Sequence, residues 1–149
     1  MALMRWRYQL SECVTYYHPM LAGCQPQTLY DSGSQRGLVD QSGNLTIFPR
    51  YAWDGCSPTV NVLDQVWLGV PDGVIDGSGK PATWRASLVH DFCLQFRDQL
   101  CLSPDHCHEI MFDVMIEDGF KMAHAYYWAV KSYWAIRPYL PRNLLKNSH

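Results

Sequence analysis

The chain of 149 residues is 48% hydrophobic and 17% charged, with a formal net charge of −2. That length suits one domain, the apolar fraction excludes global disorder, and the charge gives no electrostatic case for nucleic acid. Six Trp and nine Tyr are a heavy aromatic load, which must either fill a core or cover a surface that a partner buries.

In chain order, residues 1–50 read as short strands and loops. Arg5–Leu10 alternates weakly, and it carries Arg5 and Arg7 with no apolar run behind them, so no secretory signal is expected. Val14–Tyr17 is β-prone and ends at His18-Pro19. Residues 31–44 are rich in Gly, Ser, Asp and Gln and read as turns. Leu45–Phe48 is a strand candidate closed by Pro49; Tyr51-Ala52-Trp53 then leads into a turn at Asp54-Gly55-Cys56-Ser57-Pro58. Val60–Val70 is apolar and of ambiguous type, and residues 71–81 hold enough glycine and proline to form an exposed loop.

The second half has helical periodicity. Trp84, Leu88, Phe92 and Phe96 recur four apart, in a helix opening at Ala82 or Thr83. Ser103-Pro104 is an N-cap followed by proline at the first helical position; Ile110, Met111, Val114 and Met115 form that helix's apolar stripe, and Gly119 ends it. A third helix spans about 121–137, with Ala123, Tyr126, Tyr127, Val130, Tyr133 and Trp134 three and four apart, and Pro138 and Pro141 stop it. The expected architecture is one α+β domain: a β- and loop-rich part over 1–81, three helices over 82–137, and a loose tail over 138–149. No apolar run approaches the ~20 residues of a membrane span. None of the six cysteines forms a C-x-x-C pair, and the simplest reading is free, buried thiols.

The chemistry concentrates at His90-Asp91 on the first helix. Adjacent helical residues point about 100° apart, so each needs its own partner. That suits His90 as a general base and Asp91 as a cation ligand. The Asp54-Gly55 turn adds a second carboxylate and backbone carbonyls, a set suited to calcium. On the second helix, an antiparallel arrangement would bring His108 near His90. Two histidines with Asp91 or Asp105 would suit zinc. Asp105, His106 and His108 also read as a solvated first turn, and Asp54-Gly55 as a plain turn.

The order D-G-x-S, then H-D, then a second helix with F/M-x-x-x-M resembles prokaryotic-type phospholipase A2. It resembles more closely a phage- and prophage-associated family of unknown function. Here that pattern is carried by Pro49, Tyr51, Asp54, Gly55, Ser57, Pro58, Ala86, His90, Asp91, Ser103, Met111, Met115 and Gly119, within residues 47–135. The resemblance implies an antiparallel phospholipase A2-like helix pair, His90 as the water-activating base, and Asp91 with the Asp54-Gly55 loop as calcium ligands. It also implies that Cys93 and Cys107 lie close enough to bridge. Two positions depart from it: His108 stands where both families have the orienting Asp, with Asp105 one turn earlier as a substitute, and Leu94 replaces the phospholipase Tyr.

Two functions follow as expectations. The first is a phage accessory or virion structural protein, at the tail, connector or capsid, that keeps the scaffold with an altered His-Asp ion site. It would meet other virion proteins or a second copy of itself through Trp84, Trp128 and Trp134. The alternative is a calcium- or zinc-dependent lipid esterase acting on the host membrane, with His90, His108 and Asp105 as its catalytic candidates. Either places the chain in the virion or the host cytoplasm.

Overall fold

A computed structural model describes residues 8–22, 25–53 and 83–140. Among these residues six strands precede three helices: β1 Tyr8–Gln9, β2 Val14–Tyr17, β3 Gln27–Asp31, β4 Ser34–Val39, β5 Asn44–Ile47 and β6 Ala52–Trp53, then α1 Trp84–Gln95, α2 Pro104–Glu117 and α3 Ala123–Ile136. The architecture is α+β, as the sequence predicts. β2, β5, β4 and β3 form an antiparallel sheet in that order, and β1 pairs with β6 separately.

The turn-rich stretch 31–44 differs from its sequence reading. The turn residues form two tight connections, and β4 runs between them. Ser32 and Gly33 take φ of 50° and 80°, the left-handed pair that matches hairpin twist. At the second turn the Asp40 carboxylate accepts from the backbone N–H of Ser42 and Asn44 at 2.8 and 3.0 Å. Hydrogen bonds from the Asn44 backbone and side chain, with smaller help from Ser42 and Gly43, hold that carboxyl below its usual range. β4 is polar at Ser34, Gln35 and Arg36, so its side chains do not announce a strand; ladders on both sides make it one. Between Leu29 and Tyr30 the β3–β4 register slips, since Leu29 faces Gly37 while Tyr30 faces Gln35. Arg36 is therefore the extra residue of a bulge.

The core lies between the sheet and α1. Leu29, Val39, Leu45 and Ile47 are buried from the sheet side, and α1 is buried continuously from Ala86 to Leu94. At Gly37 the sheet comes close to α1: a Cβ there would lie 2.5 Å from the Thr46 carbonyl oxygen of β5 and 2.7 Å from Phe92 Cζ of the helix. β6 is fastened to the start of α1. Trp53 Nε1–H donates to Ser87 Oγ at 3.0 Å, and the Ser87 hydroxyl donates to the Trp84 carbonyl at 3.0 Å.

α2 packs on the far side of α1. Arg85, at the start of α1, reaches Glu117 and Asp118 at the end of α2 with N–O distances of 2.9 and 2.7 Å; His90 meets His108 nearer the start of α2. The pair is therefore antiparallel. Ser103 caps α2 as expected, in a full capping box: its hydroxyl accepts from His106 N–H, and His106 Nδ1 accepts from Ser103 N–H, each at 3.2 Å. Gly119, at φ 73°, ends the helix, with Phe120 N–H donating to the Met115 carbonyl at 2.9 Å. Across the molecule, His18 Nδ1 accepts from Met20 N–H, so its Nε2–H donates to Asp113 of α2 at 2.7 Å.

Cys93 and Cys107 are buried free thiols in the same core cluster. Burial is the main force raising both; Cys93 is raised further by Cys107, and Cys107 is pushed up to about 12. Cys13 and Cys101 are exposed and free, while Cys24 and Cys56 lie outside the described residues.

Two outcomes follow from this packing. Gly37→Ala must displace Phe92 or the β4–β5 ladder, so it should cost about 1–3 kcal/mol, read as a lower urea midpoint. Iodoacetamide at pH 8 should label Cys13 and Cys101 of the native protein and spare Cys93 and Cys107 until urea is added, which peptide mass mapping would show.

Candidate functional site

α1 contributes His90 and Asp91 from the middle of its buried run; they are 1% and 3% exposed. α2 contributes His108, fully buried and one turn past the capping box. The antiparallel helices bring His90 Nε2 to 2.9 Å from His108 Nδ1. The sequence expectation that α2 would carry His108 to His90 is met in space, and the reading of His108 as a solvated first-turn residue is corrected. Helix phase decides this: His108 shares the inward face of α2 with Met111 and Met115, whereas Asp105 and His106 face solvent.

A nitrogen–nitrogen hydrogen bond holds one proton, so one ring donates and the other accepts. Asp91 selects between the two arrangements. Its Oδ1 lies 4.0 Å from His90 Nδ1, beyond hydrogen-bond range but close enough for the charge to favour a proton on that nitrogen. With Nδ1 protonated, His90 Nε2 accepts from His108 Nδ1–H, and the free lone pair of the pair moves to His108 Nε2. Among the described residues neither His90 Nδ1 nor His108 Nε2 has a hydrogen-bond partner.

Both rings are held neutral. Burial pulls His90 well below the usual imidazole value, and His108 depresses it further. Burial likewise lowers His108 to about 4; nearby Asp105 opposes the shift and Lys131 of α3 adds to it. The Trp134 ring, also on α3, lies 5.5 Å from the His108 ring between centroids. Sequence reasoning did not connect Lys131 and Trp134 with this site; their three-residue spacing, which puts both on one face of α3, was the available signal.

The remaining sequence candidates are placed as follows. Asp105 is exposed on the first turn of α2, and acts on His108 through its charge and not through a contact with His90. Leu94 is buried in the core. Asp54 and Gly55 lie outside the described residues. Calcium takes six to eight oxygen ligands, and from the described part of the proposed ligand set Asp91 supplies the one carboxylate. For zinc, the two imidazoles would have to give up their mutual hydrogen bond to face an ion together. No group of three or more His, Cys, Asp and Glu able to hold a metal occurs among the described residues.

Of the aromatic candidates, Trp84 is half-buried and meets Trp53 edge-on at 5.3 Å. Trp134 is half-buried beneath the Arg137 guanidinium, 4.5 Å from its ring centroid. Trp128 is 60% exposed. Among the described residues no helix is long and apolar enough to cross a membrane. Comparisons with protein-family models, curated proteins and solved structures found no match.

The buried imidazoles set a pH response. Unfolded histidines take protons near pH 6.5, whereas the folded rings resist them. Between about pH 6.5 and 4 the unfolded state therefore binds more protons, and stability falls as pH drops through that window. The loss from His108 is on the order of 3 kcal/mol by pH 4. Urea denaturation at pH 7.5, 5.5 and 4.5 should show it, with a shallower slope in His108→Gln; equal slopes would contradict the assignment.

Proposed function

We propose that this chain is a phage-associated accessory or virion structural protein, built on a phospholipase A2-like helix pair whose His-Asp ion site has been altered. The supporting observation is the 2.9 Å imidazole–imidazole contact. A histidine base needs a free lone pair and, opposite it, a carboxylate that stabilises the imidazolium. In the arrangement Asp91 favours, His90 has no free lone pair: Nε2 accepts from His108 and Nδ1 carries the ring proton. The group across from Nε2 is neutral, and burial disfavours the charged ring that base catalysis would form. The site suits a packed helix interface better than water activation.

The partner-facing part of this reading is α3. Trp128 stands out from it, and Met122, Ile136 and Tyr139 are also exposed. Large aromatic anchors with few rotatable bonds suit a repeated subunit contact. Trp84 and Trp134 serve this surface less, because both are packed against the body of the protein.

The second reading, a calcium- or zinc-dependent lipid esterase, is favoured by the retained carboxylate of Asp91 beside His90. One experiment separates the two. The chain should co-sediment with assembled phage particles, Trp128→Ala should weaken that several-fold, and His90→Ala should leave it intact. The purified protein should release no fatty acid from phosphatidylethanolamine–phosphatidylglycerol vesicles with either ion present. Fatty-acid release that is lost in His90→Ala would establish the esterase instead.

A further inference from the structure

On the opposite side of α1 from His108, a cleft of about 520 Å³ is lined by Gln9, Asp31, Arg36, Arg50, Tyr51 and Gln95, together with Ala52. Four segments meet there: β1, the β3–β4 hairpin, the approach to β6, and the last turn of α1. Apart from Tyr51, no motif marks these residues in the sequence.

The two arginines are delivered by irregular backbone. Arg36 is the extra residue of the β4 bulge, a device that re-aims a side chain. Arg50 sits at φ 74°, a conformation costly for a residue with a Cβ and concentrated at ligand clamps. Arg50 is locked there from both sides: its N–H donates to the Leu10 carbonyl at 2.8 Å, and its carbonyl accepts from Gln9 Nε2 at 3.3 Å. Among the described residues neither guanidinium forms an ion pair or a side-chain hydrogen bond.

The cleft floor is ordered without using those charges. Tyr51 O–H donates to Gln95 Oε1 at 3.0 Å, and Gln95 Nε2 donates to Asp31 Oδ2 at 3.1 Å. Asp31 is thus held by an amide and makes no ion pair with either arginine among the described residues. Its carboxylate repels a second anion close by and accepts from hydroxyl groups. Two free guanidinium groups favour a carboxylate or phosphate in bidentate contact.

We propose that this cleft binds a small hydroxylated anion, with Arg36 and Arg50 holding its phosphate or carboxylate and Asp31 and Gln9 receiving its hydroxyl groups. The volume falls within the range of small-molecule sites. The strain at Arg50 is explained by the task of presenting its side chain here.

Isothermal titration with glucose 6-phosphate, galacturonate and glucose tests this and separates a phosphate from a carboxylate ligand. At least one of the two anions should bind with Kd below about 1 mM, and glucose should not. Arg50→Gly, which suits the left-handed backbone and so preserves the fold, should weaken binding at least tenfold without lowering thermal stability. Lys121→Ala, which removes an exposed charge elsewhere, should leave binding unchanged. Binding of neither anion, equal binding of glucose, or equal weakening by Arg50→Gly and Lys121→Ala would each overturn the proposal.

Discussion

The structure depends on the burial of α1 on all sides. From Ala86 to Leu94 every residue is buried, with the sheet on one side and α2 on the other. A helix in that position cannot send its polar residues to water; Ser87, His90 and Asp91 must be satisfied from within the protein or remain at a cost. Ser87 accepts from Trp53 and donates to the Trp84 carbonyl. His90 turns to α2, whose His108 meets it at 2.9 Å.

That constraint sets the chemistry of the site. Two imidazoles in a dry interface are most stable neutral and hydrogen-bonded, because a charge on either lacks solvation and faces a second ring able to take it. A carboxylate in place of His108 would reverse the balance by stabilising a protonated His90. The exchange of one residue type at the facing position therefore separates a helix interface from a proton-transfer site, while the packing around it can stay the same. The same dryness keeps the Cys93 and Cys107 thiols protonated.

The accessible chemistry lies away from the His-Asp pair. Trp128 stands out from α3 on one side of the helical layer. On the sheet side, a bulge and a left-handed arginine turn two guanidinium groups into a cleft beside the end of α1. Both features are built where regular structure ends or faces outward, and neither needs the buried imidazoles to be reactive.

The sequence by itself determined the α+β order, the three helices, the Ser103-Pro104 start and Gly119 end of α2, the strand at Val14–Tyr17, and the strand expected at Leu45–Phe48, which forms one residue earlier as Asn44–Ile47. Periodicity and capping are local properties, readable from a few neighbouring residues. It also placed His108 as a neighbour of His90, once an antiparallel pair was assumed. Only the tertiary structure decided that β4 forms within a stretch of turn-like composition, because its pairing partners on both sides supply what its side chains do not advertise. It alone separated buried His108 from exposed Asp105, three residues apart on one helix, since that choice depends on which face α1 covers. The cleft holding Arg36 and Arg50 was likewise invisible along the chain: its walls come from four separated segments, and its two charges are aimed by backbone irregularities that exist only once the strands have paired.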